Sequence, residues 1–212
     1  MLKNTIILTC SVLTAAAFAG TAPPPQQQVY EPEPLSLISY SNVSLGYLYT
    51  SVDFLGNDLD GHGVALGGEF SPIDNLYLAL NGSWSDFNGL DYWTGKAGVG
   101  VYAPLTDNLH FVTELGASYV SLNDDDSDID LDNGDWGIYA MPHLRAKFGA
   151  IEVHAGVIYD SNPLVIAEWN AFAKLLFEVS PELDIYVSAN RGFESEAFDD
   201  VWGAQAGVRF KF

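Results

Sequence analysis

Apolar and polar side chains alternate with a period of two along almost the whole chain from Ile38 to Phe212. This period is typical of β-strands that have two chemically different faces. The alternation recurs in ten segments, at residues 38–52, 61–70, 76–86, 92–103, 109–122, 135–148, 150–160, 165–179, 183–191 and 201–212. The sequence therefore predicts an all-β fold of ten strands.

The charged residues of these segments are assigned to one of the two faces. In segment 135–148, Trp136 and Leu144 lie on one face, and Arg145 and Lys147 lie on the other. A charge facing hydrocarbon costs about 2–4 kcal/mol at the membrane midplane, so the charged face is expected to line the lumen of a transmembrane barrel. The residues assigned to it are Glu69, Lys96, Glu114, Arg145, Lys147, Glu152, Glu168, Lys174, Glu178, Asp184, Arg191, Arg209 and Lys211.

Acids and bases are nearly balanced on this face, and a low dielectric favours the pairing of opposite charges. Lys147 and Glu152 flank Gly149-Ala150 on the same face, and we expect them to pair across that hairpin. The predicted lumen charge network consists of Glu69, Lys96, Glu114, Arg145, Lys147, Glu152, Lys174, Glu178, Asp184, Arg209 and Lys211.

A soluble barrel or sandwich would show the same alternation with the apolar face inside. Two features favour the membrane: the apolar face is rich in Ala, and the chain ends in Phe on that face. A third is a set of aromatic residues at strand ends, which is typical of interfacial girdles. They are Tyr47, Tyr49, Trp84, Trp93, Tyr119, Trp136, Tyr159, Trp169 and Trp202.

The connections between segments alternate in length. Four are predicted to be tight turns, and the other five to be longer loops rich in Gly, Asn and acidic residues. Short turns at one end and long loops at the other are typical of an up-and-down outer-membrane barrel. Pro142 removes a hydrogen-bond donor from a central strand, so a bulge is expected there. The four tight turns are 71–75, 104–108, 149–150 and 180–182.

The N-terminal region divides into two parts. Residues 1–19 are predicted to be a signal peptide. They contain the basic Lys3, an apolar run that begins at Ile6, and small residues before a predicted cleavage site at Gly20. Residues 20–37 are rich in Pro and Gln and read as a linker, which leaves 38–212 as the barrel. Cys10, the only cysteine, falls in the signal peptide, so a disulfide framework and a cysteine nucleophile are excluded from the mature chain.

The last segment ends Val208-Arg209-Phe210-Lys211-Phe212. Together with the signal peptide and the alternating turns and loops, it resembles the small outer-membrane barrels of the OmpA-transmembrane-domain and opacity-protein type. The resemblance covers residues 38–212 and implies a place in the bacterial outer membrane, in contact with its lipid. It also implies that the barrel-assembly machinery recognises Phe212. The typical member has eight strands, so eight is the alternative to ten.

The charge balance narrows the choice of partners. The chain has 8 Lys and Arg against 28 Asp and Glu, a net charge of −20, which argues against nucleic acid. Divalent cations are possible partners at the acidic loops. Residues 123–135 resemble a calcium loop, but counting from Asp128 the Gly and Glu positions of an EF-hand are not matched, so no metal site is assigned.

Catalysis is not expected. His110, His143 and His154 are assigned to the lumen, and Glu152 lies two residues before His154, but no local motif joins them to a nucleophile. We therefore expect no catalytic residue and no cofactor. The leading prediction is a monomeric barrel with acidic surface loops and a structural or surface-interaction role. The alternatives are a narrow pore for small solutes and, third, an outer-membrane barrel enzyme.

Overall fold

The computed structural model describes residues 38–54, 57–124, 133–193 and 200–212. Every strand pairs antiparallel with its sequence neighbours, and β1 also pairs with β10, so the sheet closes into an up-and-down barrel. The strands in these ranges are β1 (Asn42–Phe54), β2 (Asn57–Ile73), β3 (Leu76–Phe87), β4 (Leu90–Thr106), β5 (Leu109–Asp124), β6 (Asn133–Phe148), β7 (Ile151–Asp160), β8 (Trp169–Ser180), β9 (Leu183–Phe193) and β10 (Asp200–Lys211).

The ten-strand antiparallel barrel predicted from the alternation is confirmed, and the eight-strand alternative is wrong. The predicted signal peptide and linker, 1–19 and 20–37, lie outside the described residues. Within the described ranges, no helix is long and apolar enough to cross a membrane.

The four predicted tight turns are present, with two-residue turns at Asp74-Asn75, Asp107-Asn108, Gly149-Ala150 and Pro181-Glu182. They all lie at one end of the barrel, which we call the short-turn end. β1 starts and β10 finishes at this same end, because Asn42 pairs with Lys211. The opposite end is called the loop end.

The prediction that all five connections at the loop end are long is wrong. Strands β3 and β4 are joined by a two-residue turn, in which Asn88 has φ 56° and Gly89 has φ 98°. An Asn-Gly pair with both residues in the left-handed region is the preferred hairpin connection, because its twist matches that of the strands. β1 ends at Phe54 and β2 begins at Asn57, so the connection between these two strands is short as well.

The expected bulge at Pro142 is absent. Pro142 pairs with Thr113 of β5 without a shift of register. On the β7 side the pairing resumes at His143 in the register that holds at Ala140, so Met141 and Pro142 only interrupt the ladder. The missing N–H therefore removes a bond without requiring an inserted residue. The observed register shifts lie near the short-turn end, between Phe70 and Ile73, Pro104 and Thr106, and Glu178 and Ser180.

The two faces of the barrel are inverted relative to those of a water-soluble protein. Outward side chains such as Leu80 and Ile138 are 67% and 68% exposed, whereas the inward Arg145 and Arg209 are 1% and 2% exposed. Burying arginine beneath a sheet whose other side exposes large apolar side chains is unfavourable in water. The soluble alternative is therefore wrong, because only a lipid surrounding suits this exterior.

Two assignments to the lumen face are wrong. Arg191 lies an even number of residues from the outward Ile185 and Val187 on β9, so it faces outward too, and it is exposed near the loop end. Glu168 is exposed in the connection before β8, because that strand begins at Trp169 rather than at residue 165. The alternation of β9 places Arg191 outward, and its position near the strand end lets the charge reach water; Glu168 precedes β8, so alternation does not apply to it.

Candidate functional site in the barrel lumen

The lumen nearest the short turns holds a layer of four paired charges. Lys211 Nζ lies 2.8 Å from Asp184 Oδ1 and 3.0 Å from Glu178 Oε2. Lys147 Nζ lies 2.6 Å from the same oxygen of Glu178. The four side chains come from the ends of β6, β8, β9 and β10, where the alternation directs these residues inward.

Lys147 does not pair with Glu152, contrary to the expectation from the sequence. The two residues are directly opposite each other in the β6–β7 ladder. The ammonium group of Lys147 nevertheless pairs with Glu178, and Glu152 forms its ion pair with Arg209. Glu152 is one layer deeper in the lumen, and the guanidinium of Arg209 bonds both of its oxygens, at 3.2 and 2.6 Å.

A second layer of charges crosses the lumen. Arg209 on β10 donates from Nε to Asp184 at 2.7 Å, and the same guanidinium bonds Glu152 on β7. Arg145 on β6 reaches Glu69 on β2, with Nη1 and Nη2 at 3.1 and 3.0 Å from Oε2. Neither β7 and β10 nor β2 and β6 are neighbours in the sheet, so these ion pairs tie together distant walls.

The first residues of the described chain enter the lumen instead of extending β1. The prediction of a strand from residue 38 is wrong, because β1 begins at Asn42. Tyr40 is buried and stacks on Tyr102, with ring centroids 3.9 Å apart. Its hydroxyl lies 3.0 Å from His110 Nδ1, and the guanidinium of Arg145 lies 4.4 Å from its ring centroid. This aromatic packing fills the lumen beside the second charge layer.

The buried carboxylate of Glu114 is held by two tyrosines. Tyr77 donates its hydroxyl to Oε2 at 3.0 Å, and Tyr139 donates to Oε1 at 2.6 Å. No ion pair to Glu114 is formed among the described residues. Hydrogen bonds alone thus satisfy this side chain, unlike the carboxylates nearer the short turns.

Asp160 belongs to the lumen, although it is not among the residues predicted to line it. It is the last residue of β7 and is buried, with Oδ2 2.7 Å from Lys96 Nζ. Its Oδ1 accepts the hydroxyl of Ser118 at 2.6 Å and the backbone N–H of Asn162 at 3.1 Å. Asp160 lies an even number of residues after the inward Glu152 and His154, and this spacing could have revealed that it faces the lumen.

The histidines of the lumen are engaged in structural contacts. His154 Nε2 lies 2.6 Å from Glu152 Oε1 and 3.1 Å from Arg145 Nε. His143 Nδ1 contacts the carbonyl oxygen of Met141 at 3.2 Å. The inward hydroxyl of Ser118 donates to Asp160 rather than to a histidine. Among the described lumen residues, no histidine is thus bonded to a serine or threonine hydroxyl, and His110 contacts the hydroxyl of Tyr40.

Above the charge layers, towards the loop end, lies a cavity of about 350 Å³. Its charged lining residues are Glu69, Lys96, Glu114 and Lys174. Lys174 Nζ lies 4.1 Å from the ring centroid of Tyr186, whose hydroxyl accepts a hydrogen bond from Gln205 at 2.8 Å. The neutral polar residues of the wall include Ser44, Asn81, Ser83, Thr94, Tyr186 and Gln205.

The remaining predicted sites are surface features. Phe212 is 73% exposed on the apolar exterior, and its backbone N–H donates to the carbonyl oxygen of Ser41 at 3.1 Å. Most of the calcium-like loop, 125–132, lies outside the described residues. Among the residues that are described, no group of three or more His, Cys, Asp or Glu side chains could hold a metal ion.

Aromatic side chains mark both ends of the exterior. Pairs formed near the loop end include Tyr119–Trp136 and Tyr159–Trp169, with centroids 5.0 and 4.9 Å apart. Near the short turns the exposed aromatic residues are Phe70, Phe111, Phe148, Phe177, Phe210 and Phe212. Two aromatic girdles that flank an apolar band, around a charged interior, define a transmembrane β-barrel of the outer-membrane type.

No known protein family and no curated protein matches the sequence. Among solved structures, the chain is similar to Ail, the attachment invasion locus protein of Yersinia pestis, solved with the heparin analogue sucrose octasulfate. The two are 14% identical, with a TM-score of 0.41 over 81% of this chain and 97% of that one.

Two further structures illustrate the range of similar proteins. The NanC porin is 10% identical, with a TM-score of 0.44 over 81% of this chain and 100% of the porin. Outer membrane phospholipase A from Escherichia coli is 12% identical, with a TM-score of 0.41 over 82% of this chain and 97% of the enzyme. The names of these proteins describe different activities, so the likeness does not indicate a function.

Proposed function

We propose that this chain is an integral protein of the bacterial outer membrane whose barrel does not conduct and carries acidic loops for surface interaction. The observation that carries the proposal is the obstruction of the lumen near the short turns. The Arg145–Glu69 and Arg209–Glu152 pairs span it, and Tyr40 packs beside them. A hydrated ion passing this point would have to displace buried and paired charges, which is costly.

Planar-bilayer recording of the refolded full-length mature chain tests this proposal. We expect no steady channel from the wild-type barrel. A variant with Tyr40→Ala and Arg145→Ala removes two large groups of the obstruction, so its conductance should rise. Steady wild-type channels that these substitutions leave unchanged would contradict a closed lumen.

A narrow pore is the second candidate, and the cavity above the charge layers favours it. In that case the obstruction would be a gate, and the wild-type barrel would open for recordable periods. An enzymatic role has less support, because the described histidines of the lumen contact Tyr40, Met141 and Glu152 rather than a serine or threonine hydroxyl.

A further inference from the structure

Lys174 is an inward cation for which the described residues supply no carboxylate partner. The carboxylates near it are already engaged. Glu69 is paired with Arg145 at 3.0 Å, and the hydroxyls of Tyr77 and Tyr139 hold Glu114. Among the described residues its ammonium group forms no hydrogen bond or ion pair, and it lies over the ring of Tyr186. An ammonium group has three N–H donors. The face of an aromatic ring attracts the charge but does not accept hydrogen bonds from these donors as a carboxylate would.

Lys96, the other cation of the cavity wall, is different. Its ammonium group lies 2.7 Å from Asp160, which also binds Ser118 and the chain at Asn162. Lys96 is therefore neutralised by a fixed partner of the protein, and Lys174 is not. Lys174 is therefore the cation of the cavity wall that no described carboxylate pairs, and it lies on the side formed by β8 and β9.

The rest of the wall suits hydroxyl groups. Asn81 lines the cavity, and its amide forms no hydrogen bond with another described residue. Gln205 and Tyr186 are bonded to each other and retain further donor and acceptor capacity. A volume of about 350 Å³ lies within the range of pockets for small molecules.

We propose that this cavity binds a small solute that carries one carboxylate and several hydroxyls, with Lys174 as the partner of the carboxylate. Phe172 and Tyr186 supply apolar surface for the carbon skeleton, and Asn81 and Gln205 hydrogen-bond the hydroxyls. The inference goes beyond the proposed function, since a non-conducting barrel does not need such a site. The rival account is that water joins Lys174 to Glu69, which would leave nothing for a solute to satisfy.

Calorimetric titration of the refolded full-length mature chain with glucuronate and with methyl glucoside tests the site. The two probes are similar in size, and only glucuronate carries the carboxylate. We expect saturable binding of glucuronate, at least about tenfold tighter than that of the glucoside. Lys174→Met should remove the difference between the probes, and Lys174→Arg should keep it. Lys147→Met is the matched control, because it deletes a lumen cation away from the cavity and leaves Glu178 with Lys211.

A spectroscopic measurement on the wild-type chain avoids dependence on the folding of the Met variant. Glucuronate should shift the side-chain carbon resonance of Lys174 and leave that of Lys147 unchanged. Equal affinity for the two probes, an unshifted Lys174 resonance, or a preference for glucuronate that survives in Lys174→Met would each overturn the proposal.

Discussion

Arg145 on β6 meets Glu69 on β2 across the lumen, with Nη2 3.0 Å from Oε2. Three strands separate β2 from β6 along the shorter way around the sheet. Neighbouring strands are already held by backbone ladders, so this contact adds a tie between walls that no ladder joins. Arg145 also contacts Glu152 and covers the ring of Tyr40, which makes it the centre of the lumen packing.

Removing one partner of this pair should therefore be costly. Breaking a buried ion pair costs about 3–5 kcal/mol, because the other charge is left without compensation. We expect Glu69→Gln to lower the free energy of unfolding in lipid, and Arg145→Met to lower it more. In the Glu69→Gln background, Arg145→Met should lower the free energy of unfolding by less than it does in the wild-type protein. Urea titrations of the wild type, the two single variants and the double variant would show this. Strict additivity would mean that the two side chains are not coupled.

Tyr40 should contribute stability through packing more than through its hydroxyl. Tyr40→Ala empties the stack on Tyr102 and is expected to cost about 3–5 kcal/mol, as other deletions of buried aromatic side chains do. Tyr40→Phe keeps the ring and loses the bond to His110, at a cost of about 1 kcal/mol. Thermal unfolding in detergent compares the two variants. Equal losses would show that the ring does not pack inside the lumen.

The strands and their faces could be predicted because lipid imposes a strict rule on each residue. A charge that faces hydrocarbon is costly, so alternation over ten or more residues, as along β6, leaves one acceptable orientation. The rule weakens at strand ends, where a side chain can reach water. Arg191 and Glu168 lie in such places, and both were assigned to the wrong surroundings.

The partners inside the lumen could not be predicted from the sequence. Parity places Lys147, Glu152 and Glu178 in one interior but does not give their depth or the curvature of the wall. Strand tilt brings Lys147 to Glu178 although Glu152 is its ladder neighbour. The entry of Tyr40 into the lumen was missed, although the alternation changes phase before β1: Ile38 and Tyr40 are apolar at even positions, where β1 carries the polar Asn42 and Ser44.

Asp160 is expected to anchor the connection between β7 and β8. Asp160→Asn leaves Lys96 without its partner, so we expect a loss of up to about 3–5 kcal/mol and faster hydrogen exchange at the amide of Asn162. Adding Lys96→Met should recover part of the stability. Ser118→Ala is the control, because it deletes one hydrogen bond and keeps the ion pair, at a cost of about 1 kcal/mol. Unchanged exchange at Asn162 in Asp160→Asn would contradict the anchor.

Phe212 is expected to matter for assembly in cells rather than for the finished barrel. Its side chain is exposed on the apolar exterior, and it directly follows Lys211, the last residue of β10, beside β1. Deleting it should lower the amount of barrel inserted into the outer membrane and leave refolding in detergent nearly intact. Phe148→Leu, a change to another exposed exterior aromatic, is the comparison and should insert normally. Normal insertion of the truncated chain would remove Phe212 from barrel recognition.

The loop end should be destabilised by repulsion between acids on neighbouring strands. Asp53 on β1 is directly opposite Asp58 on β2. Like charges that face each other across a ladder are destabilising. Asp58→Asn should therefore raise the melting temperature at low salt, and the gain should shrink near 1 M salt, where the Debye length is roughly 3 Å.

Divalent cations should relieve the same repulsion. We expect millimolar magnesium to stabilise the wild-type barrel more than sodium does at matched ionic strength, and the excess to be smaller in Asp58→Asn. Glu182→Gln removes one negative charge at a turn of the short-turn end and serves as the control; it should retain the full excess. Equal melting temperatures of the wild-type barrel in the two salts would mean that the acids of the loop end are simply hydrated.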